Sequence, residues 1–143
     1  MSFLRKIFLQ PLALPGLLSK VYRQAANTMT AANITYDELK KLSASGNARI
    51  FDVRTPAEVA QGKILNSINI PVDDIESALK MDPETFQKKY LVKKPKPEDA
   101  FVIVHCQMGK RGAQAAETAV AMGYTKVRNY AGGYKEWSEK EKK

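Results

Sequence analysis

The chain has 143 residues, 44% hydrophobic and 27% charged, which is the size and composition of one globular domain able to bury a core. One cysteine and one histidine exclude a disulfide framework, a cysteine-based zinc site and a His-rich metal site, and no apolar run reaches the ~20 residues of a membrane-spanning helix. Half of the net charge of +8 lies in residues 1–36, which hold Arg5, Lys6, Lys20 and Arg23 and no acid, so the basic balance belongs to one segment and is no signal for nucleic acid.

Residues 1–33 read as an N-terminal extension. Phe3, Leu4, Ile7 and Phe8 share a helical face beside Arg5 and Lys6, and Pro11 and Pro15 interrupt any longer helix. A basic, amphipathic, acid-free segment is the pattern of a mitochondrial presequence. A product starting at Met29 lacks it and is expected in the cytoplasm.

From Ile34 to Lys143 the pattern is that of a single domain. Thr35, with Glu38 three residues on, predicts a capped helix that ends at Gly46. Ala48–Val53 reads as a buried strand. Thr55 caps a second helix with Pro56 at its first position and Glu58 in its first turn, stopped by Gly62. Ser67–Ile70 is a short strand, Asp73 or Asp74 begins a third helix, and Pro83 opens a fourth that runs through Tyr90. After the charged loop KKPKPED comes the most apolar strand, Phe101–His105. A helix over Gly112–Met122 is closed by Gly123, Lys126–Tyr130 is a strand, and Gly132-Gly133 turns into a last helix carrying Trp137. Alternating strands and helices predict an α/β fold with a mainly parallel sheet. Its chemistry is expected at the carboxyl ends of the strands, where Cys106 falls.

The segment FVIVHCQMGKRG places Cys106 at a strand end, followed by a short loop into a helix. Backbone N–H groups of such a loop can surround the sulfur, and the helix N-terminus adds partial positive charge. Lys110 and Arg111 add two cations, so a thiolate is favoured over the thiol and an anion can be held. Gly109 and Gly112 permit close backbone approach. The same amides can stabilise a charged sulfur adduct. Gln107, Gly109, Lys110 and Arg111 are poor core neighbours, which argues for a nucleophile rather than a buried filler cysteine. Met108 is read as a lip of the pocket, and His105 as packing in the sheet or beneath the loop without general-base work.

At these residues the chain resembles the single-domain rhodaneses, the thiosulfate sulfurtransferase family, and among them the small thiosulfate:glutathione sulfurtransferase-like proteins that share CQMGKRG. Three motifs match in order, FDVRTPAEVAQGKILNSINIP, FVIVHCQMGKRG and NYAGGYKEW, across about residues 34–139. The resemblance implies a five-stranded parallel sheet flanked by helices on both faces. It implies that Cys106 carries sulfane sulfur as a persulfide, with Gln107, Met108, Gly109, Lys110 and Arg111 completing the active loop. Asp52 and Arg54 match a supporting Asp-x-Arg pair, and Gly132, Gly133 and Trp137 match the C-terminal signature. It implies thiosulfate as donor, a thiol such as glutathione as acceptor, and no metal or organic cofactor. The second domain of the two-domain rhodaneses has no counterpart, so their acceptor preference does not carry over.

Two other functions stay open at this point. Cysteine-dependent phosphatases place an arginine six positions after the cysteine, whereas here the sixth residue is Gly112 and the arginine is the fifth. The other is a binding module or a persulfide relay that hands sulfur to a protein partner.

Overall fold

The computed structural model describes residues 31–142. The predicted extension over residues 1–33, with its presequence character and Met29, lies outside these except for its last three positions. Twelve elements follow in chain order. They are β1 (Ala32–Asn33), α1 (Tyr36–Ser45), β2 (Arg49–Asp52), α2 (Pro56–Ala60), β3 (Ile68–Asn69), a 3-10 turn (Val72–Asp74), α3 (Ile75–Lys80), α4 (Pro83–Tyr90), β4 (Val102–His105), α5 (Lys110–Ala121), β5 (Arg128–Asn129) and α6 (Gly133–Glu141). The five strands pair in parallel in the order β1-β5-β4-β2-β3.

Local chemistry sets the helix ends. Thr35 and Thr55 each accept the backbone N–H of the glutamate three residues on, Glu38 and Glu58, whose side chains return the bond to the threonine N–H. Gly46 takes the left-handed cap of α1 at φ 78°. Asp82 caps α4 through a 2.7 Å bond from Thr85 N–H.

Alternation along the central strands divides the core. Phe51, Val102 and Val104 face a cluster with Ile75, Phe86, Ala115 and Ala119, under α3, α4 and α5. Ile50 and Ile103 face Leu39, Ile64, Tyr130 and Trp137, under α1 and α6. Both sheet faces are covered, as a parallel sheet requires. The predicted α/β fold, with a five-stranded parallel sheet flanked on both faces, is the one observed.

Several boundaries differ from the expectation. β1 precedes Ile34 and pairs Ala32 with Arg128 and Asn33 with Asn129; two residues show no periodicity to read. α5 starts at Lys110 instead of Gly112, because Gly109 at φ 103° takes the N-cap position and its carbonyl accepts the Ala113 N–H at 2.9 Å. The strands expected at Ser67–Ile70 and Lys126–Tyr130 shorten to Ile68–Asn69 and Arg128–Asn129, where the ladder finds partners.

Candidate functional site

Cys106 follows β4, the central strand, and its side chain is 1% exposed. The chain turns at once, and the Gly109 N–H donates to Cys106 Sγ at 3.0 Å. Gly109 itself lies at φ 103°, in the left-handed region, and a Cβ there would meet the Ala131 carbonyl oxygen at 2.5 Å, so the position admits only glycine. An amide aimed at the sulfur position can donate to an anion held there.

The carbonyls of the loop are held on the opposite side. Cys106 O accepts the Tyr134 N–H at 2.8 Å, and Gln107 O accepts the Lys135 N–H at 3.1 Å. These donors belong to the first turn of α6, whose N–H groups have no partners inside the helix. With its carbonyls drawn toward α6, the loop has its amides left for the sulfur side. Gly133, at φ 68°, sits where a Cβ would collide with the Cys106 and Gln107 carbonyl oxygens. Asn129 Nδ2 donates to Gly109 O at 3.3 Å, and Gly112 lies so close to Asn129 and His105 that a side chain would not fit.

Beneath the loop, the register of β2 on β4 sets Asp52 beside His105. Asp52 holds Arg54 through Nε–Oδ1 at 2.9 Å and Nη2–Oδ2 at 2.7 Å, with both residues fully buried. Arg54 then donates to Gln107 Oε1 at 3.2 Å and to Gly62 O at 2.8 Å, and its guanidinium lies 4.4 Å from the Tyr134 ring centre. The pair thus contacts the loop through Gln107. His105 Nδ1 lies 3.1 Å from Cys106 O and carries the proton there, since a carbonyl only accepts. Its Nε2 has no hydrogen-bond partner among the described residues and lies 3.7 Å from Asp52 Oδ2. Burial pushes His105 below the ordinary histidine value, against the opposing pull of the Asp52 carboxylate.

Lys110 and Arg111 occupy the first turn of α5, but they differ. Arg111 forks onto Glu58 of α2, Nη1–Oε1 at 2.6 Å and Nη2–Oε2 at 2.9 Å, with both side chains about one-third exposed. That fork, with the Thr55 N–H, holds the Glu58 carboxyl down at about 2, and Glu58 in turn raises Arg111. Of the two cations expected in this turn, Arg111 is engaged by Glu58, while Lys110 is exposed and joins no ion pair among the described residues. Met108, in the loop, is 70% exposed. Trp137 packs in the second cluster, edge-on to Tyr130.

Sequence reasoning brought Cys106, the loop and the Asp52–Arg54 pair to one place. It missed Glu58 as a partner of the loop, Asn129, and the α6 amides. Glu58 was legible only as a helix-capping acid, and backbone donors leave no side-chain signature.

Residues 35–140 match the family described as Rhodanese-like domain. The chain is 53% identical to human thiosulfate:glutathione sulfurtransferase over 111 residues, covering 78% of this chain and 96% of that protein. It is 35% identical over 135 residues to a mitochondrial thiosulfate sulfurtransferase of Saccharomyces cerevisiae, covering 87% of this chain and 90% of that protein. The solved structure of a human single-domain sulfurtransferase superposes with a TM-score of 0.75 at 53% identity, covering 77% of this chain and 97% of that one. A cysteine loop at the carboxyl end of the central strand, on a sheet of this order and with these relatives, makes the chain a member of the rhodanese-like domain family.

Proposed function

We propose that this protein is a sulfurtransferase that moves sulfane sulfur from thiosulfate to glutathione through a persulfide on Cys106. The observation that carries the reading is the Gly109 N–H on Cys106 Sγ at 3.0 Å, in a loop whose carbonyls are drawn away by α6. The Cys106 thiolate attacks the outer sulfur of thiosulfate; the sulfur–sulfur bond of the donor breaks, and sulfite leaves with the bonding electron pair. The Cys106 persulfide anion keeps its charge beside the Gly109 amide, the N-terminus of α5 and Lys110. The acceptor thiolate then attacks the outer sulfur, forms its own persulfide and returns Cys106 as a thiolate. The acceptor resolves the intermediate, so a single cysteine suffices and no net oxidation occurs.

Support for the substrates comes from the human relative, whose name specifies thiosulfate and glutathione. Mitochondrial targeting by residues 1–33 belongs to the same reading, supported by their acid-free composition and by a relative named as mitochondrial. Fluorescent fusions of the full chain and of a Met29 start test it: the first is expected in mitochondria and the second in the cytoplasm.

Intact mass after exposure to thiosulfate, and again after glutathione, tests the chemistry. One added sulfur atom, absent in Cys106→Ser and removed by glutathione, is the expected result. A sulfur that glutathione cannot remove points to a protein acceptor in a relay. No added sulfur overturns the reading.

A further inference from the structure

Arg54, Glu58, Gln61, Gln107, Tyr134 and Ser138 line one open groove that reaches the active loop at Gln107, the residue after the nucleophile. The charges along it are unequally available. Arg54 is buried, and its Nε, Nη1 and Nη2 already donate to Asp52, Gln107 and Gly62. Arg111 does not line the groove, although it grips Glu58 from outside it. The Glu58 carboxylate is therefore the charged group the groove presents.

That carboxylate is also fixed. Oε1 accepts from Thr55 N–H, from the Thr55 hydroxyl and from Arg111 Nη1, whereas among the described residues Oε2 accepts only from Arg111 Nη2 and keeps a lone pair to spare. A carboxylate held from two sides loses little conformational entropy when a ligand arrives. Around it stand two side-chain amides, a tyrosine ring and a serine hydroxyl, which are partners for a peptide-like chain.

Building on the sulfurtransferase reading, we propose that this groove is the acceptor subsite, that it selects thiols carrying an ammonium group within a peptide-like zwitterion, and that Glu58 is the residue that recognises the ammonium. The thiol of such an acceptor enters past Gln107 while its ammonium end rests on Glu58. Arg111 acts as a positioning residue for that carboxylate. The anionic donor is left to Lys110 and the loop amides.

The test compares cysteamine, an ammonium thiol, with 3-mercaptopropionate, a carboxylate thiol, as acceptors of sulfur from thiosulfate. The readout is the ratio of their kcat/KM values in the wild type and in Glu58→Gln. Glutamine at this position keeps the capping box, so α2 retains its start, and a thermal melt checks the fold. Loss of one partly exposed charge contact is expected to lower the ratio about fivefold. Arg111→Met, which frees Glu58, is expected to raise it. Ratios that stay equal across the three proteins overturn the subsite. A wild type that gains no sulfur from thiosulfate, read by mass before any acceptor is added, overturns the underlying sulfurtransferase reading instead.

Discussion

The backbone N–H of Tyr134 donates to the carbonyl oxygen of Cys106 at 2.8 Å, so the last helix holds this cysteine by its main chain. The Gly-Gly-Tyr signature and the cysteine loop are one device. The helix supplies donors it cannot use itself, and the loop gains a reason to turn its amides the other way.

Gly133→Ala isolates that device. The substitution forces a Cβ onto φ 68° and into the Cys106 and Gln107 carbonyl oxygens. Gly46→Ala is the control, since Gly46 has a similar φ of 78° and, among the described residues, nothing within 4 Å of its Cβ position. Gly46→Ala is expected to cost about 1 kcal/mol, the left-handed backbone alone. Gly133→Ala is expected to cost roughly 2–4 kcal/mol and to slow persulfide formation as the loop shifts. Urea denaturation and single-turnover mass measurements compare the two; equal effects would show that the loop contact contributes nothing.

Removing the Asp52 carboxylate leaves the Arg54 guanidinium buried with only neutral acceptors, Gly62 O and Gln107 Oε1. Asp52→Ala is expected to destabilise the fold by about 3–5 kcal/mol. Replacing both partners by apolar residues, Asp52→Leu with Arg54→Met, removes the stranded charge and is expected to be more stable than the single variant. Denaturation midpoints of the three proteins decide it, and a double variant weaker than Asp52→Ala would show that the pair contributes more than mutual neutralisation.

Two groups give acid stability separate ranges. Burial lowers His105 in the folded state, so as pH falls below the ordinary value of 6.5 the unfolded chain takes up that proton first and folding weakens. Glu58, held down to about 2 by Arg111, contributes stability above its ordinary value of 4.5 and loses it as pH falls from there toward 2. His105→Asn is expected to flatten the stability profile just below pH 6.5, and Glu58→Gln the part below pH 4.5. Denaturation midpoints measured across pH check both, and wild-type slopes retained in a variant would clear that residue of the role.

Much of this architecture can be read from the chain because it rests on short-range chemistry. Thr35 with Glu38 and Thr55 with Glu58 declare helix starts within four residues, and the apolar run before Cys106 declares a central strand. Family resemblance supplied the fifth strand, since Ala32–Asn33 is extended only through its pairing with β5. In the site, Cys106 was legible from its glycine-rich and basic surroundings. The Arg111–Glu58 fork was not, because Glu58 already had a complete local explanation as a capping residue. Asn129 escaped notice for a similar reason: it reads as the end of a strand, and only the packing of α5 on β5 brings it under Gly109.

The sheet ends on both sides in strands of two residues, Ala32–Asn33 and Ile68–Asn69. An open sheet exposes a row of unpaired backbone groups at each margin, and a long margin invites another chain to add a strand. Here each margin is too short to serve as a template, which guards the folded domain against edge-to-edge aggregation. The long strands, β2 and β4, lie inside the sheet, so the most adhesive backbone in the molecule is already paired.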